Sequence, residues 1–171
     1  MDEVEVVNYD PRWPGLFEEE AKRLRAVLDP SLIIGLEHFG STAIPGLSAK
    51  PIIDILIAVR SLSAAQVTFA EALRRLDYVY WADNPKKDRM FFVKGMPPFG
   101  SKRSHHVHVT EPQGEMWQRL AFRDYLRAHP AEAETYERLK KRLAAEHKTD
   151  REVYADAKSA YVASVMRKAT N

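Results

Sequence analysis

Two kinds of pattern alternate along the first half of the chain. Residues 13–28 place apolar side chains at every third or fourth position with charged residues between them, and this period predicts an amphipathic helix. Residues 32–39 and 52–59 are short apolar runs rich in β-branched side chains, which is typical of buried strands. A helix followed by two strands is therefore predicted.

The middle of the chain continues this alternation. Ser63 and Gln66 have the spacing of a capping box, which predicts the start of a second helix. Residues 78–83, 89–95 and 105–110 are β-branched or aromatic and are separated by turn-rich stretches such as GMPPFGSKRS. Three further strands are therefore expected.

After Pro112 the pattern becomes helical, with three successive stripes of apolar side chains. Thr149 and Glu152 form a capping box before the last stripe, and Pro130 stands where a first-turn proline is tolerated. Helix-flanked strands followed by a helical tail predict a single α/β (α+β) domain over residues 1–171, with a mixed five-strand sheet and a C-terminal helical segment.

Composition narrows the class of protein. The chain has 171 residues, of which 45% are hydrophobic, enough for one domain with its own core. It lacks an apolar run of the ~20 residues that a membrane span needs, and its acidic start does not resemble a signal peptide, so we expect a cytoplasmic protein without a membrane partner. A net charge of +2 is too small to suggest bulk nucleic-acid binding.

Asp54 is the first candidate for chemistry, because it places a carboxylate inside an apolar predicted strand. An ionised carboxylate without a partner is costly there, so the group must pair, shift its pKa or bind a cation. The alternative to a functional role is an ion pair with Lys50, with an arginine or with a helix N-terminus. Since the chain has no cysteine, a metal would need His, Asp, Glu or water as ligands.

Histidines supply the next candidates. His106 and His108 alternate with valines, so both imidazoles are expected on one strand face as a pair of metal ligands, while His105 faces away with the valines. A histidine pair on a half-exposed sheet face also occurs without a metal. Of the adjacent Glu37 and His38, only one can share the face of the cluster, and we predict that it is His38.

A phosphate site is predicted where the first strand ends. Gly40 permits unusual backbone angles, and Ser41 or Thr42 can cap a helical turn whose free N–H groups favour an anion. The alternative is a plain strand-to-helix cap.

Basic residues are concentrated between residues 86 and 103, which hold six Lys or Arg side chains and one acidic residue, Asp88. This concentration predicts an anionic ligand, for which Lys102 and Arg103 are the preferred contacts because they lead into the histidine strand. The alternative is a solvated face.

Three separated blocks resemble a known family. Gly40 and Ser41, followed after twelve residues by Asp54 and Ile55, resemble the signature of the nucleotidyltransferase superfamily. The blocks EHFGSTAIPGLSAKPIIDI, HHVHV and FRDYLRAHPAEAETYERLK look more specifically like its GrpB-like family, and the resemblance runs from VVNYDPRW onward. It implies a nucleotidyltransferase-like mixed sheet.

The resemblance also implies a chemistry. It suggests a nucleotide or other phosphorylated small molecule as ligand, and metal-dependent nucleotidyl transfer in which Asp54 holds the metal and Gly40 and Ser41 hold phosphates. Lys50, Lys102 or Arg103 would neutralise developing charge. Active members of the superfamily carry a second acidic residue two places after the first, where this chain has Leu56.

The expected cofactor is a divalent cation: magnesium, manganese or zinc. A site built from Asp54, His106, His108 and His38 favours zinc, manganese or nickel over magnesium. Two other functions remain open: a non-catalytic nucleotide- or anion-binding module that assists a partner enzyme, for example in coenzyme A metabolism, and a metal-dependent phosphohydrolase. Domains similar to the GrpB-like family occur fused to dephospho-CoA kinase in some bacteria, which suggests the binding module.

Overall fold

The computed structural model describes residues 5–170, so residues 1–4 and 171 of the predicted domain lie outside the described residues. The strands are β1 (Ile33–Phe39), β2 (Ile53–Val59), β3 (Tyr78–Tyr80), β4 (Arg89–Lys94) and β5 (His105–Thr110). The helices are α1 (Trp13–Val27), α2 (Leu62–Arg74), α3 (Glu115–Gln118), α4 (Leu120–Ala128), α5 (Pro130–Glu146) and α6 (Arg151–Ala169). These elements follow the predicted order, except that the first of the three helices predicted after Pro112 is divided into α3 and α4.

The five strands form one mixed sheet, as predicted, and their order, which the sequence did not indicate, is β1-β2-β5-β4-β3. β2 and β5 run parallel, whereas the β1–β2, β4–β5 and β3–β4 pairs are antiparallel. In the parallel pair, Asp54 is opposite His106, and Leu56 is opposite His108. The two segments with candidate chemistry are therefore neighbours at the centre of the sheet.

One face of the sheet carries the main hydrophobic core. Ile55, Ile57 and Val107 are fully buried there, packed with Leu24 of α1 and Phe69 of α2. Because side chains alternate between faces along a strand, the residues between these positions face the other side. The alternation of side chains along the strands therefore places the core residues on one face of the sheet and the candidate site residues on the other.

An ion-pair group around Glu20, at the edge of the main core, also shows that neighbouring residues of β5 face opposite sides of the sheet. His105 faces α1, where its Nε2 lies 3.3 Å from Oε2 of Glu20, a fully buried residue. Lys94 of β4 donates to both carboxylate oxygens of Glu20, at 3.1 and 2.9 Å. His105 therefore faces away from His106 and His108, as predicted.

The C-terminal helices pack against the segment that links β1 to β2. A second hydrophobic cluster contains Ile44, Leu47, Leu126, Tyr136 and Val165. Arg123 of α4 strengthens this contact by donating to Oε2 of Glu37 at 2.9 Å and to the carbonyl of His38 at 2.8 Å.

None of the helices described is long and apolar enough to cross a membrane. That residues 1–171 form one domain stays a prediction.

Three predicted boundaries are wrong. α2 is capped by Ser61, whose Oγ accepts the N–H three residues later at 3.2 Å, so Ser63 lies inside the helix. α6 is capped in the same way by Asp150 and not by Thr149. β3 ends at Tyr80, three residues before the predicted end, because its ladder with β4 stops there.

Candidate functional site

Asp54, His106 and His108 form a compact group on the face of the sheet opposite the main core. Oδ1 of Asp54 lies 3.3 Å from Nδ1 of His106 and 3.4 Å from Nε2 of His108. One ligand atom from each residue lies within 4.8 Å of the others. The parallel pairing of β2 and β5 produces this group, because it sets Asp54 opposite His106 and leaves His108 two residues further along the same face.

The residues of this triad fit a divalent cation. Two ligands that each lie about 2.1 Å from a tetrahedral ion are about 3.4 Å apart. The distances from Oδ1 of Asp54 to the two histidine nitrogens, 3.3 and 3.4 Å, are close to this value. One carboxylate and two imidazoles are a donor set suited to zinc or manganese. Three protein ligands also leave a position open for water or substrate.

Hydrogen bonds and burial both affect the ionisation of the triad. Nη1 of Arg103 lies 3.4 Å from Nε2 of His106, the ring nitrogen that does not face Asp54. Burial opposes ionisation of Asp54, but hydrogen bonds from His106 and His108 outweigh it and hold the pKa of Asp54 well below its ordinary value. Burial lowers the pKa of His106. Both shifts favour an ionised carboxylate at Asp54 and a neutral imidazole at His106.

The structure does not bring His38 into the triad. Its ring stacks on Phe17 of α1, with centroids 4.8 Å apart, and Nε2 is hydrogen-bonded to Oγ1 of Thr42 at 2.9 Å. Burial lowers the pKa of His38 to about 4. The choice of His38 over Glu37 is wrong, because the register of β1 places Glu37 on the face of Asp54 and turns His38 towards the main core.

Gly40 approaches the triad more closely than the sequence indicated. Its φ is +73° and ψ is −169°, and a Cβ at this position would lie 2.7 Å from Oδ2 of Asp54. The turn that follows is a single 3-10 turn, Ser41–Ala43, in which Thr42 is buried. Ser41 and Thr42 both line the cavity described below, and their role as a phosphate site stays a prediction.

A cavity of about 750 Å³ lies over the triad, between the sheet and the C-terminal helices. Its aromatic lining comes from Phe39, Phe91, Phe122, Tyr136 and Tyr154. Its cationic lining comes from Lys50, Arg119, Arg123, Lys140, Lys158 and Arg167. Such a combination suits a ligand that has both an aromatic ring system and negative charge.

Lys50 lines this cavity, but it is not the ion-pair partner of Asp54 that the sequence left open. Its Nζ lies 5.1 Å from the ring centroid of Tyr154. Burial, followed by repulsion from Lys158 and Arg151, lowers the pKa of Lys50 to about 7. The groups within 3.4 Å of the Asp54 carboxylate are instead the two histidines.

Lys102 and Arg103 lie in different surroundings. The Lys102 side chain is 77% exposed, and its Nζ lies 4.0 Å from a carboxylate oxygen of Glu5. Arg103 contacts the triad through His106. The structure brings Arg103, but not Lys102, to the candidate site.

Sequence reasoning missed the cavity-lining lysines of the C-terminal helices. Lys140 is four residues after Tyr136 on the apolar stripe of α5, and Lys158 is four residues after Tyr154 on that of α6. A lysine on a buried helical face is the signal that could have identified both.

Comparisons with known proteins agree on one family. The family described as GrpB protein matches residues 3–168. A UPF0157 protein of Pseudomonas aeruginosa is 48% identical over 169 residues, which cover 98% of this chain and 68% of that protein. The crystal structure of the conserved protein GrpB from Enterococcus faecalis has a TM-score of 0.85 and 36% identity, with 96% of both chains covered.

A more distant relative has a named activity. A dephospho-CoA kinase of Mycolicibacterium paratuberculosis is 29% identical over 189 residues, which cover 97% of this chain and 46% of the kinase. This chain is thus similar to about half of that protein.

Proposed function

The chain belongs to the GrpB family, and from this premise and the geometry of the site we propose that it binds a nucleotide or another phosphorylated small molecule next to a divalent metal. One observation carries the proposal: the triad of Asp54, His106 and His108 lies beneath a cavity lined by aromatic and cationic side chains. Aromatic rings stack on bases, and cations neutralise phosphates.

Each part of the site has a distinct task in this proposal. A divalent cation, when bound, supplies Lewis-acid stabilisation of charge on a phosphoryl oxygen. Asp54 provides the anionic ligand, and the ring nitrogens of His106 and His108 that face its Oδ1, at 3.3 and 3.4 Å, would provide the two neutral ligands. Phe91 packs against both imidazoles, at centroid distances of 5.0 Å from His106 and 4.9 Å from His108, which fixes the rings and limits access of water from that side.

The reaction that fits a nucleotidyltransferase-like superfamily is nucleotidyl transfer to a small molecule. The second acidic residue expected for this chemistry is replaced by Leu56, which is fully buried opposite His108. In the proposed site, His106 and His108 of β5 replace the missing carboxylate as ligands. Arg119, which also lines the cavity, neutralises charge on the reacting phosphates.

Leu56 also favours a second candidate, a binding module without chemistry. A site with one carboxylate holds a single cation more readily than the pair used in two-metal phosphoryl transfer. The similarity to half of a dephospho-CoA kinase supports a module that assists a partner enzyme in handling a nucleotide-containing substrate.

Thermal shift and calorimetry test the proposal. The protein is titrated with ATP, GTP, CTP, UTP, coenzyme A and dephospho-CoA, each with magnesium, manganese, zinc or EDTA. We expect at least one compound to raise the Tm in a metal-dependent manner, since a ligand at 100 times its Kd stabilises by about 2.7 kcal/mol. If none of the compounds shifts the Tm with any metal, the proposal is wrong.

A second measurement separates the two candidates. A nucleotide that binds is incubated with the protein and a panel of small hydroxyl- and amine-containing acceptors, and release of pyrophosphate is followed. Metal-dependent release supports nucleotidyl transfer. Binding without release supports the binding module.

A further inference from the structure

Three lysines from three different parts of the chain line the cavity beside Tyr136 and Tyr154. Lys50 precedes β2, Lys140 belongs to α5, and Lys158 belongs to α6. The Nζ atoms of Lys50 and Lys158 lie 5.1 and 4.8 Å from the ring centroid of Tyr154. Nζ of Lys140 lies 4.9 Å from the ring centroid of Tyr136, which lines the same cavity. We call these three residues the lysine cluster.

The lysine cluster has a surplus of positive charge. Within residues 5–170, none of the three ammonium groups has a carboxylate within 4.0 Å. Nζ of Lys140 donates to the backbone carbonyl of Ser48. Glu137, the carboxylate that acts electrostatically on Lys140, forms its own ion pair with Lys141 at 3.2 Å.

Burial makes this surplus unfavourable in the absence of an anion. Lys140 is 1% exposed, and burial followed by repulsion from Lys158 and Lys50 holds its pKa well below the ordinary value. The hydroxyl of Tyr154, also buried, has no hydrogen-bond partner among the described residues. Unbalanced charges and unused polar atoms in a cavity are typical of a ligand site.

We infer that the lysine cluster binds a phosphate or pyrophosphate group of the ligand, as a subsite built from residues other than the metal triad. This inference rests on the proposed function and specifies how the ligand is held. A phosphate group carries a charge of about −1.5 to −2 and three acceptor oxygens, which match three ammonium groups better than the single charge of a carboxylate does. The ligand then extends from the lysine cluster towards Asp54.

The turn after Gly40 is less suited to hold this phosphate. The carboxylate of Asp54 lies against Gly40 and repels an anion at that turn. The turn itself has only three residues, Ser41–Ala43, so it offers few free N–H groups. The lysine cluster supplies the positive charge that this turn lacks.

Calorimetric titration with inorganic pyrophosphate in EDTA tests the inference, because it removes the metal from the measurement. We expect the wild-type protein to bind pyrophosphate, and Lys158→Gln and Lys50→Gln to weaken this binding at least tenfold. Lys158→Arg should retain most of it, because it keeps the charge. Lys87→Gln is the matched control: Lys87 is exposed and does not line the cavity.

The outcomes distinguish this inference from the proposed function. The inference is wrong if a nucleotide with metal binds equally well to the wild type, Lys158→Gln and Lys50→Gln, while pyrophosphate either binds equally well to all three proteins or binds to none of them. In that case the proposed function stands. If the wild type binds neither pyrophosphate nor any nucleotide, both are wrong. Thermal unfolding of each variant verifies that it is folded, and two independent lysine positions keep the test valid if one variant is unstable.

Discussion

Gly40 lies directly against the carboxylate of Asp54, so close that a Cβ atom at residue 40 would be 2.7 Å from Oδ2. Its backbone angles, φ +73° and ψ −169°, also belong to a region that only glycine adopts readily. Two separate reasons therefore require glycine here: the backbone conformation and the space next to the carboxylate. A second glycine of the same loop allows these reasons to be separated.

Gly40→Ala is expected to impair metal binding, whereas Gly46→Ala is not. Gly46 also has a positive φ, +80°, but a Cβ there would meet nothing within 4 Å. Both substitutions should destabilise the fold by roughly 1–3 kcal/mol through backbone strain. Only Gly40→Ala should also displace Asp54 and weaken binding of zinc or manganese, measured by calorimetry. Equal metal affinities in the two variants would show that Gly40 does not shape the site.

Asp54→Asn is expected to reduce divalent-metal affinity by at least about tenfold, the equivalent of ~1.4 kcal/mol. The substitution keeps the size of the side chain but removes the anionic ligand. Because the folded protein lowers the pKa of Asp54, loss of the carboxylate charge should also lower the Tm of the metal-free protein to some extent. Asp156→Asn is the control, because Asp156 is an exposed carboxylate that lines the same cavity. Unchanged metal affinity together with a loss of roughly 3–5 kcal/mol of stability would instead make Asp54 a structural residue.

Lys50 should make the stability of the ligand-free protein depend on pH. Burial and repulsion from Lys158 lower the pKa of Lys50 to about 7, whereas its ordinary value is 10.5. Between these values the unfolded chain binds more protons at this residue than the folded protein does, so its contribution to stability rises with pH. Lys50→Met should therefore be more stable than the wild type at pH 6, and this advantage should shrink by pH 9.

Differential scanning calorimetry of both proteins from pH 6 to pH 9, without phosphate in the buffer, measures this difference. Lys141→Met is the control for loss of a half-exposed lysine. A constant difference in Tm between Lys50→Met and the wild type across this range would contradict a lowered pKa at Lys50.

Truncation after Ala128 is expected to abolish cooperative folding. Loss of α5 and α6 would expose Ile44, Leu47 and Leu126, which are at most 2% exposed and pack against Tyr136 and Val165. Burial of each such side chain contributes about 1.5–3 kcal/mol, which together is a large part of the stability of an ordinary domain. A truncated chain that melts cooperatively as a monomer would show that these helices are a separate unit.

The sequence predicted the strands and most of the helices, and it named all three residues of the triad. Strand and helix periods are local properties, so residues 52–59 and His105–Thr110 could be assigned as strands without knowledge of their neighbours. The alternation of β5 placed His106 and His108 on one face, and the unusual charge at Asp54 marked the partner. The family resemblance, carried by three separated blocks, is confirmed.

Only the tertiary structure decided which of these residues meet. A strand period does not specify which strands pair or which face turns to the core, so the orientation of His38 was predicted wrongly and the parallel pairing of β2 with β5 was not predicted. Lys140 and Lys158 reach the cavity because α5 and α6 pack across the face of Asp54, about ninety or more residues after Lys50 in the chain. Local pattern determined the elements, and the burial of apolar surface between distant segments determined the site.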